Sequence, residues 1–148
     1  MATNPILIPG NLNRVRASII VPNNTTYNIP AQYLAKEGIA IAAQTAVNTQ
    51  FQGMTTIVNS NEPYQLVQLT ISLVKTLALA ESYKELIENN PNLDQITVVP
   101  DTNVLSEFTL YNCAIMNWNG QSFAGTQADY TFMIQGAYYI SNNLWSVI

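Results

Sequence analysis

The sequence contains no histidine, a single cysteine and few charged residues. Without histidine, the chain cannot use Ser-His-Asp or Cys-His catalysis, and it lacks both the most common zinc ligand and the usual general base near neutral pH. Because Cys113 has no second cysteine to pair with, the disulfide framework of small secreted proteins is excluded. These absences argue against most familiar enzyme classes and against a disulfide-stapled domain.

Charge is also scarce, since Asp, Glu, Lys and Arg make up 9% of the chain, whereas a soluble domain contains about 25%. Asn and Gln take the place of charged residues, as in Asn23-Asn24. No Lys or Arg follows Lys84, so the C-terminal part lacks the basic cluster that binds phosphate. The close basic pair Arg14 and Arg16 is interpreted as two solvated residues on one face of a strand. A composition rich in amides and poor in charge fits a surface made for protein contact.

No motif for catalysis or cofactor binding is present, such as a Gly-rich phosphate loop or an EF-hand ligand string. The acids Asp94, Asp101, Glu107 and Asp129 lie next to predicted turns or strand ends, and we interpret them as solvated rather than as a glycosidase pair. Cys113 lies in mid-strand and is predicted to be a buried small hydrophobic residue rather than a nucleophile. We therefore expect a protein that is not an enzyme and that holds no cofactor or metal.

The length of 148 residues and the lack of repeats or linker-like segments predict a single domain spanning residues 1–148. Residues 1–13 are predicted to form an extended arm, because Pro5, Pro9 and Gly10 surround a short apolar stretch. The N-terminus lacks the pattern of a secretory signal, and the apolar runs are too short for a spanning helix. We expect a protein made in a cytosol-like compartment and not associated with a membrane.

The pattern of apolar residues predicts a mainly β fold with one flanking α-helix, in the order β-β-β-α-β-β-β. The predicted strands are Arg14–Val21, Ile39–Gln52, Leu66–Leu73, Ile96–Val99, Glu107–Trp118 and Ala128–Ile140. The predicted helix, from Thr76 to Asn90, rests on the helical spacing of its apolar residues and is ended by Pro91.

Two further predictions concern a loop and the last strand. The segment Pro22–Pro30 is predicted to be a polar loop long enough to reach a neighbouring molecule. The last two strands form a predicted hairpin, and the last strand is expected to pack on the core through one face, formed by Tyr130, Phe132, Ile134 and Tyr138.

In the segment from Ile39 to Gln52 the odd positions are mainly apolar and the even positions include four amides, so one face of the predicted strand is interpreted as apolar and the other as amide. A strand from Ile39 to Gln52 would span on the order of 40 Å. A usual strand has only about five or six residues. A strand this long often leaves its own domain. The amides of its polar face are Gln44, Asn48, Gln50 and Gln52.

The C-terminal part resembles the tail tube proteins of long-tailed bacteriophages, with contractile or flexible tails. The residues that carry the resemblance are Phe108–Ile115, Asn119-Gly120, Asp129–Phe132 and Ile134–Tyr139, a pattern of strand, turn and strand that is typical of phage virion proteins. The helix and the order of the strands before it fit the same family. The similarity covers about residues 14 to 140.

The resemblance implies a β-sandwich or barrel-like tail-tube fold, whose copies form hexameric rings with long strands lining an inter-subunit β-barrel. The rings would stack into the tail tube of the virion, assembled in the host cytoplasm, through which the genome is ejected. Its partners would be further copies of the chain and the sheath, baseplate and terminator proteins. DNA would pass through the lumen without specific binding.

If the chain is a tail tube protein, we can assign hypothetical roles to two groups of residues. The lumen would be lined by Gln44, Asn48, Gln50 and Gln52, because an uncharged lining does not hold phosphate. Contacts between rings would come from the arm and from the loop Pro22–Pro30, with the candidates Ile6, Leu7, Ile8, Asn23, Asn24 and Tyr27.

Three other readings stay open. A tail terminator or baseplate ring protein would share the fold and the composition. A carbohydrate-binding or adhesin module could use the aromatic residues Trp118, Phe123, Tyr138, Tyr139 and Trp145. A glycoside hydrolase relying on acids alone is the least favoured reading.

Overall fold

The computed structural model describes residues 16–74, 78–102, 105–118, 126 and 129–141. The chain there forms eight strands and one α-helix: β1 (Ala17–Ile20), β2 (Leu34–Ala43), β3 (Asn48–Gln52), β4 (Ile57–Asn61), β5 (Tyr64–Val74), α1 (Ala78–Asn89), β6 (Asn92–Pro100), β7 (Phe108–Trp118) and β8 (Asp129–Tyr139). Two short 3-10 turns, Thr25–Tyr27 and Ala31–Tyr33, connect β1 to β2.

Six strands form one antiparallel sheet in the order β1-β6-β7-β8-β5-β2, and β3 and β4 form a separate two-stranded hairpin. The six-stranded sheet, called the main sheet below, curves into a nearly closed, barrel-like shape. The structure therefore confirms a mainly β fold with one helix, of the sandwich or barrel type.

The core lies on one face of the main sheet, because alternate residues of each long strand point to the same side. In β5 and β8 the pairs Leu69–Ile134 and Ile71–Phe132 are in register and fully buried. Tyr130 is buried and Tyr138 is half-buried on the same face of β8. The predicted core face of the last strand and its predicted hairpin with β7 are both confirmed.

Helix α1 confirms the predicted helix from Thr76 to Asn90, of which residues 76 and 77 lie outside the described part. The helix closes the core through Tyr83, whose ring stacks on Phe132 with centroids 4.6 Å apart. The Tyr83 hydroxyl donates a hydrogen bond of 2.5 Å to the Tyr27 carbonyl, which joins the helix to the loop before β2. A buried tyrosine stabilises a core when its ring is packed and its hydroxyl has a hydrogen-bond partner.

Two strands of the main sheet are bent where the ladder loses its register. Asp94 in β6 and Asn112 in β7 adopt left-handed backbone angles, with φ of 67° and 53°, and each lies at a register shift. Asn and Asp tolerate this conformation better than other residues with a side chain, and bulges increase the local bend of a sheet. These bends help the sheet to curve toward closure.

The predicted single strand from Ile39 to Gln52 is wrong. The chain instead forms β2 up to Ala43, breaks, and resumes as β3 at Asn48. The strand β4 was missed, because its sequence Ile-Val-Asn-Ser-Asn has too little apolar alternation to signal a strand. Five strands therefore precede the helix, where the periodicity predicted three.

The predicted loop Pro22–Pro30 contains no strand, but part of it belongs to the core. Val21 and Ile29 are fully buried at its two ends, and Ile29 pairs with Ile19 through two backbone hydrogen bonds of 2.8 and 2.9 Å. The loop is therefore folded onto its own domain at both ends.

Gly136 provides a test of the packing between β7 and β8. A Cβ at this position would overlap Cys113 Sγ and would lie 3.1 Å from Leu110 Cβ. Overpacking of this kind costs about 1–3 kcal/mol. We expect Gly136→Ala to lower the free energy of unfolding by about 2 kcal/mol, measured by urea denaturation.

The double variant Cys113→Ala/Gly136→Ala serves as the control, because it removes the overlapping sulfur. Its loss of stability should be smaller than the sum of the two single losses. An unchanged urea midpoint for Gly136→Ala would show that the two strands do not pack this closely.

Candidate assembly surface

Strands β2 to β5 form one long antiparallel ribbon that is interrupted in the middle. Ala43 pairs with Val67 on the main-sheet side of the break, and Asn48 pairs with Asn61 on the hairpin side. Between these pairs, the four residues 44–47 face the five residues 62–66. One extra residue on the second strand is the arrangement of a β-bulge, which breaks the ladder and changes its direction.

The break is held by specific hydrogen bonds. The backbone N–H of Gln44 donates to the Leu66 carbonyl over 2.8 Å, and the N–H of Leu66 donates to the Thr45 hydroxyl over 3.1 Å. The side-chain amide of Gln65 donates to the Thr45 carbonyl over 2.7 Å. These bonds satisfy the backbone where the ladder stops, so the hairpin is attached to the main sheet in a defined way.

One face of the hairpin consists mainly of amides. Asn48 lies opposite Asn61 and Gln50 opposite Asn59, and the Gln50 side chain donates a 3.0 Å hydrogen bond to the Asn59 oxygen. Gln52 lies on the same face of β3, two residues further along. The structure brings together three of the four amides proposed from the sequence.

Gln44, the fourth of these amides, lies in the break and not in β3. Asn59 and Asn61 were missed because they lie on β4, the strand that periodicity did not detect. Interpreting residues 53–56 as the turn of a hairpin would have identified both amides, since β4 runs antiparallel to β3 directly after these residues.

The opposite face of the hairpin is apolar and exposed. Phe51 lies opposite Val58, and these side chains remain 59% and 58% exposed. Val47 at the base and Met54 at the tip are also exposed. Since large exposed apolar patches on a soluble domain mark interaction sites or aggregation hazards, this face indicates a contact surface.

The ribbon also exposes unpaired backbone edges. Within the described part of the chain, β2 pairs only with β5, and β3 and β4 pair only with each other. From Gly38 to Asn61 the sequence has no charged residue, although charges are a common protection of edge strands against pairing with other chains. An isolated two-stranded hairpin is at best marginally stable in water. The ribbon therefore has the properties of a strand pair that adds to another sheet.

A second candidate contact surface lies on the face of the main sheet opposite the core. Tyr64 and Tyr139 are directly paired there, and Tyr139 stacks on Tyr111 with centroids 4.7 Å apart and an interplanar angle of 16°. Together with Met116, which is 60% exposed, these residues line a shallow depression of about 440 Å³, called the tyrosine depression below.

This face of the main sheet carries no charge along its three central strands until Asp129 at the end of β8. Its pairs include Gln68 with Gln135 and Thr70 with Met133. Amides, hydroxyls and tyrosines thus cover it, as they cover one face of the hairpin.

The candidate ring contacts have different positions. Ile6, Leu7 and Ile8, with the rest of the predicted arm, lie outside the described residues. Asn23 donates a 2.6 Å hydrogen bond to the Asp94 carboxylate, and Asn24 accepts one from the Thr26 N–H, which starts a 3-10 turn. Tyr27 is half-buried beside Tyr83, with ring centroids 5.5 Å apart. These three residues make contacts within their own chain.

The aromatic residues considered for sugar binding do not form one site in the described part of the chain. Tyr138 packs against Phe108 with ring centroids 5.8 Å apart, while Trp118 lines a separate pocket of about 110 Å³ beside Tyr130 and Lys84. Ligand pockets usually measure roughly 300 Å³ or more, so this pocket is small for a sugar. Phe123 and Trp145 lie outside the described residues.

Cys113 is buried, as the sequence predicted. Burial raises the pKa of its thiol from 9.0 to about 12, a backbone hydrogen bond to Ile96 lowers it, and the Asp94 carboxylate raises it further. Because the thiolate is the reactive form, such a thiol is a poor nucleophile.

No group of three or more Cys, Asp or Glu side chains placed to hold a metal ion occurs in the part of the chain that the structure describes. Of the helices described, none has the length and apolar character needed to cross a membrane. No protein-family model matches the chain. No curated protein is significantly similar to it in sequence.

The buried thiol gives a prediction about reactivity and pH. We expect Cys113 to resist a colourimetric thiol reagent at pH 8 in the folded protein, and the urea-unfolded chain to react at one thiol per molecule. The raised pKa stabilises the fold below pH 9, and this contribution is lost as the pH rises toward 12. Labelling should therefore accelerate in that window. Rapid labelling of the folded protein at pH 8 would show that the thiol is accessible.

Proposed function

We propose that this chain is a structural subunit whose copies join through their ribbons into rings, and that the rings stack into the tail tube of a bacteriophage. The observation that carries the proposal is the hairpin β3–β4, which is uncharged and apolar toward the tip on one face, and whose two edges are unpaired within the described part of the chain. A domain that functioned alone would gain nothing from such an element and would risk aggregation.

Ring closure accounts for the ribbon's open edges. If each ribbon pairs with the ribbon of the next copy, the strands close into one barrel shared by the subunits, and closure removes every edge. The hairpin, marginal in a single chain, would then be stabilised by pairing on both sides. Hexameric rings, as the resemblance implies, are the expected closed form.

The amide face of the hairpin supports the assignment of a lumen. Asn48, Gln50 and Gln52, with Gln44 at the break, remain the proposed lining, and the amides Asn59 and Asn61 extend it. Clustered Lys and Arg hold nucleic acid by neutralising its phosphates. A lining without charge would let DNA pass during genome ejection without binding it.

The remaining parts of the proposal rest on the resemblance of the C-terminal strands. The chain would be a non-enzymatic virion protein, assembled in the host cytoplasm, with sheath, baseplate and terminator proteins as further partners. A tail terminator or baseplate ring would use the same ribbon but would stop at one ring. The length of the assembly therefore separates a tube subunit from those two.

The proposal predicts the form of the purified protein. Negative-stain electron microscopy should show rings with a central opening and open-ended tubes of variable length, and light scattering should give masses that rise with concentration. Discrete rings that never stack would favour the terminator or baseplate reading. A monomer at all accessible concentrations would contradict the proposal.

A charge placed in the lumen should make the tube retain DNA. We expect Gln50→Lys tubes to bind a short DNA duplex in co-sedimentation, at least about tenfold more tightly than wild-type tubes at low salt, because each copy adds a cation. Gln32→Lys, at an exposed position in the turn Ala31–Tyr33, is the control with equal added charge. Equal binding by both variants would show that residue 50 does not face an enclosed passage.

The predicted arm can be tested by deletion. If residues 1–10 join successive rings, their removal should leave rings intact while shortening the tubes, since ring closure depends on the ribbon. Tube lengths measured by electron microscopy provide the comparison. Tubes of unchanged length would exclude the arm as a contact between rings.

A further inference from the structure

We infer that the apolar face of one copy's hairpin docks in the tyrosine depression of the next copy, head to tail. The inference rests on the proposed function, because it names the surface that receives the hairpin when two copies meet. Its partner is a second copy of this chain.

The donating surface is defined by Phe51 and Val58, which face each other across the two strands of the hairpin. Thr49 and Ser60 form the next pair on the same face, and Thr49 donates a 3.1 Å hydrogen bond to Glu62 at the base. This face is therefore apolar toward the tip and polar only where it meets the main sheet.

The receiving surface is concave and offers aromatic and thioether groups. Leu66 and Ala137 are paired between the rings of Tyr64, Tyr111 and Tyr139, and Met116 lies at the side. Tyrosine rings and methionine side chains are enriched at protein interfaces, and their apolar faces pack well against Phe and Val.

Charge distinguishes this surface from the other described faces of the domain. Helix α1 exposes Glu81, Lys84, Glu85 and Glu88, and Arg16 forms an exposed ion pair with Asp101 at the β1 edge. Docking the hairpin on either would remove charged groups from water without a partner for them, which is costly. The tyrosine depression imposes no such cost, since no charged residue lines it.

Geometry favours a neighbouring copy over the chain's own hairpin. Tyr64 begins β5 just after the end of β4 at Asn61, so the depression lies at the base of the hairpin. Each hairpin strand has five residues and carries the tip about 17 Å away from that base. The bonds of Thr45 to Leu66 and Gln65 hold the base of the hairpin in a direction that carries its tip away from the chain's own depression.

A contact between two different patches of identical chains is heterologous, and its repetition gives a closed ring or an open helix. Docking by the Phe51 face also leaves the opposite face of the hairpin, with Asn48, Gln50 and Gln52, uncovered. The same contact thus joins neighbours in a ring and leaves the amides for the lumen.

Two complementary variants test the inference. Phe51→Asp places a charge on the apolar face of the hairpin, and Met116→Asp places a charge in the tyrosine depression. Each variant leaves the other surface unchanged. We expect each variant alone to need at least about tenfold more protein for half-maximal assembly. An equimolar mixture should contain a 1:1 complex, detected by light scattering, because the intact hairpin of one variant fits the intact depression of the other.

Gln32→Asp is the control for added charge, because it adds the same charge at an exposed position outside the hairpin and outside the lining of the depression. It should assemble at the wild-type concentration. Far-UV circular dichroism and urea denaturation verify that all three variants are folded.

The outcomes separate this inference from the proposed function. Wild-type assembly with unaffected Phe51→Asp and Met116→Asp variants would overturn the docking contact and leave the ring proposal standing. Loss of folding stability in Met116→Asp with normal assembly would mean that the chain's own segment covers the depression, which also overturns the contact. A wild-type protein that never assembles would overturn both.

Discussion

The hydrogen-bonding capacity of the ribbon's backbone is the constraint that the proposed assembly must satisfy. Every backbone N–H and C=O needs a hydrogen-bond partner. At an exposed strand edge, these groups can pair with a strand of another molecule. Among the described residues, the edge of β2 continues toward a hairpin whose two edges have no partner strand, across a stretch from Gly38 to Asn61 without charge. Natural edge strands of monomers are usually protected by charge, bulges or cover. The uncharged edges of this ribbon are therefore the observation on which the proposed pairing between copies rests.

The rest of the domain holds that ribbon in place. The stack of Tyr83 on Phe132 fixes α1 against the core face of β8, and β8 is paired with β5 along its whole length. The bends at Asp94 and Asn112 curve the far strands around the same core. Because β5 is paired on both sides, with β8 and β2, and also leads into the hairpin, the core holds the base of the ribbon in place.

Much of the fold could be predicted from the sequence, because burial imposes a period on it. The core face of β5, the helix and the hairpin of β7 with β8 all followed from apolar alternation or helical spacing. The hairpin β3–β4 could not be predicted in this way, since a strand whose faces are both exposed has no burial pattern. The amides of β3 share a face as their parity indicated, but parity does not detect a bulge. The break at residues 44–47 therefore went unseen, as did the tyrosine depression, whose members come from three strands distant in sequence.

Hydrogen exchange reports directly on the backbone amides of the ribbon edges that the proposed assembly would pair. Along β2 and β3, the amides that point away from β5 and β4 should exchange rapidly in the dilute monomer and become strongly protected on assembly, while amides of α1 change little. This result is expected if neighbouring ribbons pair edge to edge. Assembled particles in which these ribbon amides exchange as fast as in the monomer would contradict the account.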